Sequence, residues 1–222
     1  MSWLTPHVGA QLVDLGSAML LLTCFAIVAQ RRLSACVDLF ALQSFFLAMT
    51  ATLVAFLTGT RHIYVAAALT VAVKGLVIPR VLRRVIERLN VTRELVMNVN
   101  VPASLLICGA LVMIAFFITQ PIISFGHLLT RNSLAIALAI VLIGFFTMIA
   151  RQKAVTQLIA FLVMENGLFL GATAATYGMP LIVELGVFFD VLVAALIAGI
   201  YTNRLQDAFD SVDTSRLSEL RE

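Results

Sequence analysis

The stretch AVTQLIAFLVMENGLFLGATAATY, residues 154–177, decides the fold of this chain. Its central part is apolar except for Glu165 and Asn166. As an α-helix that rises ~1.5 Å per residue, it would extend ~36 Å and so cross the ~30 Å of hydrocarbon in a bilayer. A carboxyl group near the middle of such a helix is costly to bury, so its presence requires a physical reason.

The composition of the whole chain predicts an all-α, polytopic membrane protein. The 222 residues are 61% hydrophobic and 12% charged, and their mean hydropathy is +1.04. This leaves too little polar surface to cover a soluble globule. The net charge of +3 does not indicate nucleic-acid binding, because in a membrane protein the placement of the basic residues matters more than their sum. Cys24, Cys36 and Cys108 form no C-x-x-C pair, so neither a disulfide framework nor a metal site is predicted.

Seven windows are long enough to span the membrane, and the basic residues between them predict their orientation. Arginine and lysine follow the first, third, fifth and seventh windows, whereas the other connections carry only Arg61 and Arg131. Because basic loops stay on the cytoplasmic side, the amino terminus is expected outside and the carboxyl terminus inside. The windows are residues 9–30, 36–59, 62–82, 103–120, 132–150, 154–177 and 181–201.

Two further segments are expected at the inner surface. Residues 83–101 mix arginine, glutamate and aliphatic side chains in a pattern that predicts an amphipathic helix lying on the membrane. Residues 207–222 are charged and rich in serine and aspartate, which favours a solvated cytoplasmic tail.

Glu165 and Asp190 are the candidate proton carriers. Each lies near the middle of its window, and the short connection between the sixth and seventh windows makes the two helices antiparallel neighbours. Burial raises the pKa of a carboxyl group toward neutrality, which suits a group that takes up and releases protons. The alternative is a protonated carboxyl that only joins helices by hydrogen bonds.

Lys74 is the matching cation in the third window. Pro79 stands five residues later and cannot donate a hydrogen bond, so the helix is predicted to kink or open beside the lysine, near the carbonyl of Gly75. A lysine in an apolar site loses its proton readily, and Lys74 is therefore a third candidate for the relay. The alternatives are a fixed counter-ion to one of the carboxylates and a side chain that reaches the inner headgroups.

Uncharged polar side chains inside the windows supply possible support. Gln43, Gln157 and Asn166 would either hold water along a proton path or join helices as hydrogen-bond partners. Asp38, near the inner end of the second window, would either lie where the path opens to the inner surface or reach the headgroups. Asp14 is expected near the outer surface.

These residues resemble a known family. The stretch Met164–Phe169 (MENGLF), the later Gly186–Asp190 (GVFFD) and the basic, serine-bearing tail are similar to hydrogenase-4 component E, a membrane subunit of formate-hydrogenlyase-like, group 4 hydrogenase complexes. Residues 131–222 further resemble the three-helix K-type subunit of respiratory complex I. The resemblance therefore divides the chain into an amino-terminal membrane half, residues 1–130, and a K-like half with a short cytoplasmic tail, residues 131–222.

The resemblance also implies roles for the two carboxylates. In the K-type subunit, glutamates in the second and third helices lie on a hydrophilic axis along the membrane arm. Glu165 matches the first by position and Asp190 the second, with the shorter aspartate as a departure from the family pattern. Lys74 has no counterpart in the three-helix subunit, so its role rests on its own chemistry.

By this resemblance the chain is expected to be a subunit without cofactor, metal or catalytic centre of its own, in a complex of a bacterial or archaeal inner membrane. It would couple electron transfer to proton or ion translocation. Its partners would be antiporter-like membrane subunits, a membrane subunit like that of a quinone site, and a peripheral hydrogenase or iron–sulfur module. The alternatives are a stand-alone secondary transporter, which midplane charges would also suit, and a structural spacer that conducts no ion.

Overall fold

A computed structural model describes residues 6–88, 99–125 and 131–176. Within these ranges the chain is helical apart from short connections, and it contains no β-strand. Backbone polar groups in hydrocarbon must be satisfied inside the segment, and a helix does this along its own axis. The predicted seventh window, residues 181–201, and the tail, residues 207–222, lie outside the described residues.

Six stretches of the described chain are long and apolar enough to cross a membrane. The third consists of three elements in succession, α3, a π-helical segment and α4, and the others are single helices. The elements are α1 (Pro6–Ala29), α2 (Leu33–Thr58), α3 (Arg61–Thr70), the π-helical segment (Val71–Val77), α4 (Ile78–Arg88), α5 (Val101–Phe125), α6 (Arg131–Ala150) and α7 (Ala154–Thr176).

The third spanning stretch is longer than its predicted window. Residues 83–88, expected to begin a separate surface helix, instead continue α4. Arg83 and Arg84 are exposed while Val85 and Ile86 are buried, so this part has the expected amphipathic character. Residues 89–98 of the predicted surface helix lie outside the described residues, and the last residue of that prediction, Val101, begins α5.

The helix around Lys74 is wound as a π-helix. The N–H of Ile78 donates to the carbonyl of Val73, five residues back, in place of the α-helical partner four residues back. Pro79 follows directly and has no N–H to donate, which explains why the regular α-helical pattern changes here. The opening predicted beside Lys74 thus takes the form of a wider turn.

Helix α2 occupies the middle of the bundle. It packs against α1, α3, the π-helical segment, α4 and α7, while α6 packs against α7, α1 and α5. Helix α5 is peripheral: its spanning window is 17% buried, compared with 61% for α7. The protein interior is therefore formed mainly where α1, α2, α6 and α7 meet.

Close contact between α6 and α7 fixes the depth and rotation of α7. A methyl group added at Gly144 of α6 would lie 2.8–2.9 Å from Met164 Cβ, Cα and N of α7. One added at Gly167 of α7 would lie 3.0 Å from the carbonyl oxygen of Ala137. Small residues let membrane helices approach closely, and here they place Glu165 and Asn166 between the two contacts.

Candidate functional site

An ion pair lies buried at the centre of the bundle. Lys74 Nζ is 2.9 Å from Glu165 Oε1, and the two side chains are 2% and 5% exposed. The π-helical segment carries the lysine and α7 carries the glutamate. Two candidate relay residues that are distant in sequence therefore face each other directly.

Asn166 extends the ion pair into a polar network. Lys74 Nζ donates to Asn166 Oδ1 at 3.3 Å. The amide of Asn166 donates in turn to Gln43 Oε1 at 3.2 Å and approaches Ser44 Oγ at 3.5 Å. These five side chains, Gln43, Ser44, Lys74, Glu165 and Asn166, are all buried, and we call them the central cluster.

The two central-cluster residues of α2, Gln43 and Ser44, donate to backbone carbonyls. Gln43 Nε2 donates to the carbonyl of Leu20 in α1 at 3.2 Å. Ser44 Oγ donates to the carbonyl of Phe40, one turn earlier in its own helix, at 3.0 Å. Because each amide group is both donor and acceptor here, the network links α1, α2, the π-helical segment and α7.

The central cluster contains one acidic and one basic group in an apolar interior. Opposite charges 2.9 Å apart attract strongly where water does not screen them. This attraction offsets part of the free energy that it costs to take both charges out of water. Protonating the carboxylate would leave Lys74 as an uncompensated cation, so the protonation states of the two groups are coupled.

Two of the predicted residues, Gln157 and Asp38, lie away from the central cluster. Gln157 is exposed near the start of α7, ~12 Å along the helix from Glu165, and donates to the carbonyl of Arg151 at 2.9 Å. Asp38 forms an ion pair with Arg83 at the surface, where both side chains are more than half exposed. Asp190 lies outside the described residues.

Ser44 belongs to the central cluster but was not predicted. A serine within a membrane helix usually bonds to the carbonyl one turn earlier, as Ser44 does, so its sequence gives no sign of a second contact. Its position directly after Gln43 was the available signal.

Arg151 is a second residue whose environment the sequence did not indicate. It lies in the connection between α6 and α7 and is 4% exposed. Its Nη2 donates to the carbonyls of Val28 at 2.8 Å and Gln30 at 3.3 Å, at the carboxyl end of α1. Burial lowers the pKa of the Arg151 guanidinium. The carbonyls and the helix dipole at this end of α1 favour a positive charge, so the arginine fixes α1 against the α6–α7 connection.

The described residues contain no group of three or more histidine, cysteine, aspartate and glutamate side chains that could hold a metal ion. The three cysteines are free and buried. The buried charged side chains of the described residues are thus the Lys74–Glu165 pair and Arg151.

Comparison with known proteins finds relatives along almost the whole chain. An uncharacterized protein of Mycobacterium tuberculosis, Rv0085, is 38% identical over 212 residues, which cover 95% of this chain and 96% of the relative. Hydrogenase-4 component E of Escherichia coli K12 is 20% identical over 216 residues, 96% of this chain and 99% of the relative. The same protein of Shigella flexneri matches to the same extent. No family model and no solved structure matches.

Proposed function

Since the chain belongs to the same family as Mycobacterium tuberculosis Rv0085 and is distantly related to hydrogenase-4 component E, we propose that it couples electron transfer to proton translocation in a membrane-bound redox complex. The relationship and the membrane-spanning helices fit a membrane subunit of a multi-subunit complex. In this proposal the central cluster carries the protons or transmits the charge. The complex would reside in a bacterial or archaeal inner membrane.

The single observation that carries this proposal is the buried ion pair. A charged group at the centre of a membrane helix costs roughly 2.5 to 3.5 kcal/mol on insertion scales, and this chain retains two within 2.9 Å of each other. Apolar side chains of similar volume would pack there without that desolvation cost. The retained charges fit a site where protonation changes during turnover.

The contacts suggest how one step would proceed. A proton that reaches Glu165 removes the counter-charge of Lys74 and thereby favours transfer of a proton from the ammonium toward Asp190, the next group of the proposed relay. Asn166 Oδ1, already 3.3 Å from Nζ, holds the lysine head in place while the charge changes. Proton uptake by Glu165 and proton release from Lys74 are thus linked, and each changes the electrostatic potential at the next group.

The relay continues in this proposal to Asp190. Its predicted helix follows α7 after a short connection, and its depth in the membrane matches that of Glu165 by sequence. The partners would be antiporter-like membrane subunits on one side and a subunit resembling that of a quinone site on the other. A peripheral hydrogenase or iron–sulfur module would supply the electrons.

The test is Glu165→Gln in the assembled complex, in sealed membrane vesicles. Glutamine keeps the size and a hydrogen-bonding group but cannot carry a proton, so we expect electron transfer to continue while proton uptake, followed with a pH-sensitive dye, is lost. Glu87→Gln, which neutralises an exposed carboxylate of α4, is the matched control and should pump normally. Normal pumping by Glu165→Gln would refute the relay role.

A structural spacer is the second candidate, because a 2.9 Å ion pair with amide partners also suits hydrogen-bonding between helices. The double variant Lys74→Met/Glu165→Gln separates the two functions. A spacer would keep full coupling when both charges are removed, whereas a relay would lose it.

A further inference from the structure

We infer that Asp14, Ser133 and Ser17 form the route by which protons pass between the membrane surface at the Asp14 end of the bundle and the central cluster. This inference rests on the proposed function, because it supplies a path to the same buried ion pair. The opposite end of the bundle, which carries Arg83, Arg84 and Arg151, we call the basic end.

The route begins with a carboxylate that solvent can reach. Asp14 is partly exposed on α1, and its two oxygens accept hydrogen bonds from α6. Asn132 Nδ2 lies 2.8 Å from Oδ2, and Ser133 Oγ lies 3.3 Å from Oδ1. A carboxylate at this position can take a proton from water and pass it to a hydroxyl.

The next two groups lead into the protein. Ser133 Oγ is 2.8 Å from Ser17 Oγ, and both serines are 0% exposed. Ser17 Oγ is also 2.9 Å from the carbonyl of Val13. A hydroxyl both donates and accepts, so a file of hydroxyls can move a proton by exchanging hydrogen bonds, which an apolar contact cannot do.

Two independent helix distances place the inner end of this file close to the central cluster. Leu20, whose carbonyl accepts from Gln43, lies three residues after Ser17, or ~4.5 Å along α1. Ala137 lies four residues after Ser133, or ~6 Å along α6, and its carbonyl faces Gly167, the neighbour of Asn166.

Measured along the helix axes, the inner end of this file therefore lies about one helical turn from the central cluster, and hydrogen bonds through an intervening water molecule would cover that rise. Thr50 of α2 supplies a further hydroxyl at the level of Ser17, because it packs directly against Gly16. Its Oγ1 donates to the carbonyl of Phe46 at 2.8 Å and keeps lone pairs that can accept a hydrogen bond.

Accessibility of an introduced thiol tests the path without requiring turnover. In a chain whose native cysteines are replaced by alanine, Ser17→Cys and Ser44→Cys should each react with silver ion, which is similar in size to water, added from the Asp14 side of sealed vesicles. A thiol that has bound silver resists alkylation after the protein is denatured, so the fraction of protein that is not alkylated measures the reaction with silver. Adding Ser133→Val should slow the reaction of Ser44→Cys roughly tenfold, whereas Ser34→Val, at an exposed serine of α2, should not change it.

Proton translocation by the assembled complex gives the second readout. We expect Asp14→Asn and Ser133→Ala to slow proton uptake roughly tenfold, Ser133→Thr to restore it by returning the hydroxyl, and Glu87→Gln to have no effect. If Ser17→Cys reacts from the Asp14 side but Ser44→Cys reacts only from the basic end, the network merely joins α1 to α6 and the inference fails.

The two proposals can fail separately. If Glu165→Gln abolishes pumping while Asp14→Asn and Ser133→Ala pump normally, the relay stands and this route is wrong. If Glu165→Gln pumps normally, the relay itself is wrong, whatever the thiols show.

Discussion

At the scale of the residue, the ion pair between Lys74 and Glu165 determines how the interior responds to change. Each charge is tolerated because the other lies 2.9 Å away. Removing one partner of a buried pair leaves an uncompensated charge, which is more harmful than removing both.

Stability of the two single variants and the double variant tests this coupling. We expect Lys74→Met to destabilise the protein by about 3 kcal/mol, and Lys74→Met/Glu165→Gln by less than the sum of the two single changes. Thermal unfolding in detergent measures the differences.

The pair Asp38–Arg83 is the control for this cycle, because both side chains are more than half exposed. Its coupling free energy should not exceed about 1 kcal/mol. Equal coupling in the two pairs would contradict the view that burial makes the Lys74–Glu165 pair strong.

The sequence was enough to identify the polar residues near the middle of the spanning helices, which are Lys74, Glu165, Asn166 and Gln43. It offered a pair between Lys74 and one of the carboxylates only as an alternative, because contact depends on how each helix is rotated about its axis. Gln157 lies on the same helix as Glu165, yet it donates to the carbonyl of Arg151 in the connection before that helix begins.

At the scale of the element, the contact of α6 with α7 sets the rotation that brings Glu165 and Asn166 inward. Gly144 allows this contact, because any side chain there would meet the backbone of Met164. Sequence alone showed a glycine in an apolar helix, a residue that is common in membrane helices.

Gly144→Ala should therefore be destabilising. A methyl group only 2.8–2.9 Å from Met164 atoms forces the helices apart, and we expect a loss of roughly 1 to 3 kcal/mol in unfolding free energy. Gly109→Ala in α5 is the matched control, since a methyl group there has nothing within 4 Å and should be neutral or slightly stabilising. Equal effects of the two changes would show that this contact does not hold α7.

The π-helical segment is the element that sequence reasoning predicted least completely. Pro79 indicated that the helix would be disturbed near Lys74, because proline removes a backbone donor. Whether the chain then kinks or widens depends on what packs around it. Here α2 lies against the segment, and the helix widens by one residue per hydrogen bond instead of breaking.

At the scale of the whole molecule, hydropathy was a good predictor of the spanning helices in the part of the chain that the structure describes. Six of the seven windows correspond to helices long and apolar enough to cross a membrane. The order in which they pack could not be predicted, since apolar side chains occupy most of the surface of each window.

Reporter fusions test the predicted orientation. Because basic connections remain in the cytoplasm, a fluorescent protein fused after residue 30 or residue 152 should fluoresce, whereas alkaline phosphatase should be active only after residue 60. A cytoplasmic position for Gly59 and Thr60 would reverse the orientation and would place Asp14 on the inner side.

The ion pair joins residues made at very different times. The ribosome completes Lys74 before it has added the ninety-odd residues that lead to Glu165, an interval of about 5 to 20 seconds at ordinary rates of synthesis. During this interval the third helix carries Lys74 before Glu165 exists to offset its charge. Maturation of the interior is therefore tied to translation of the carboxyl-terminal half, because a chain that stops short of α7 lacks the counter-charge with which Lys74 is buried.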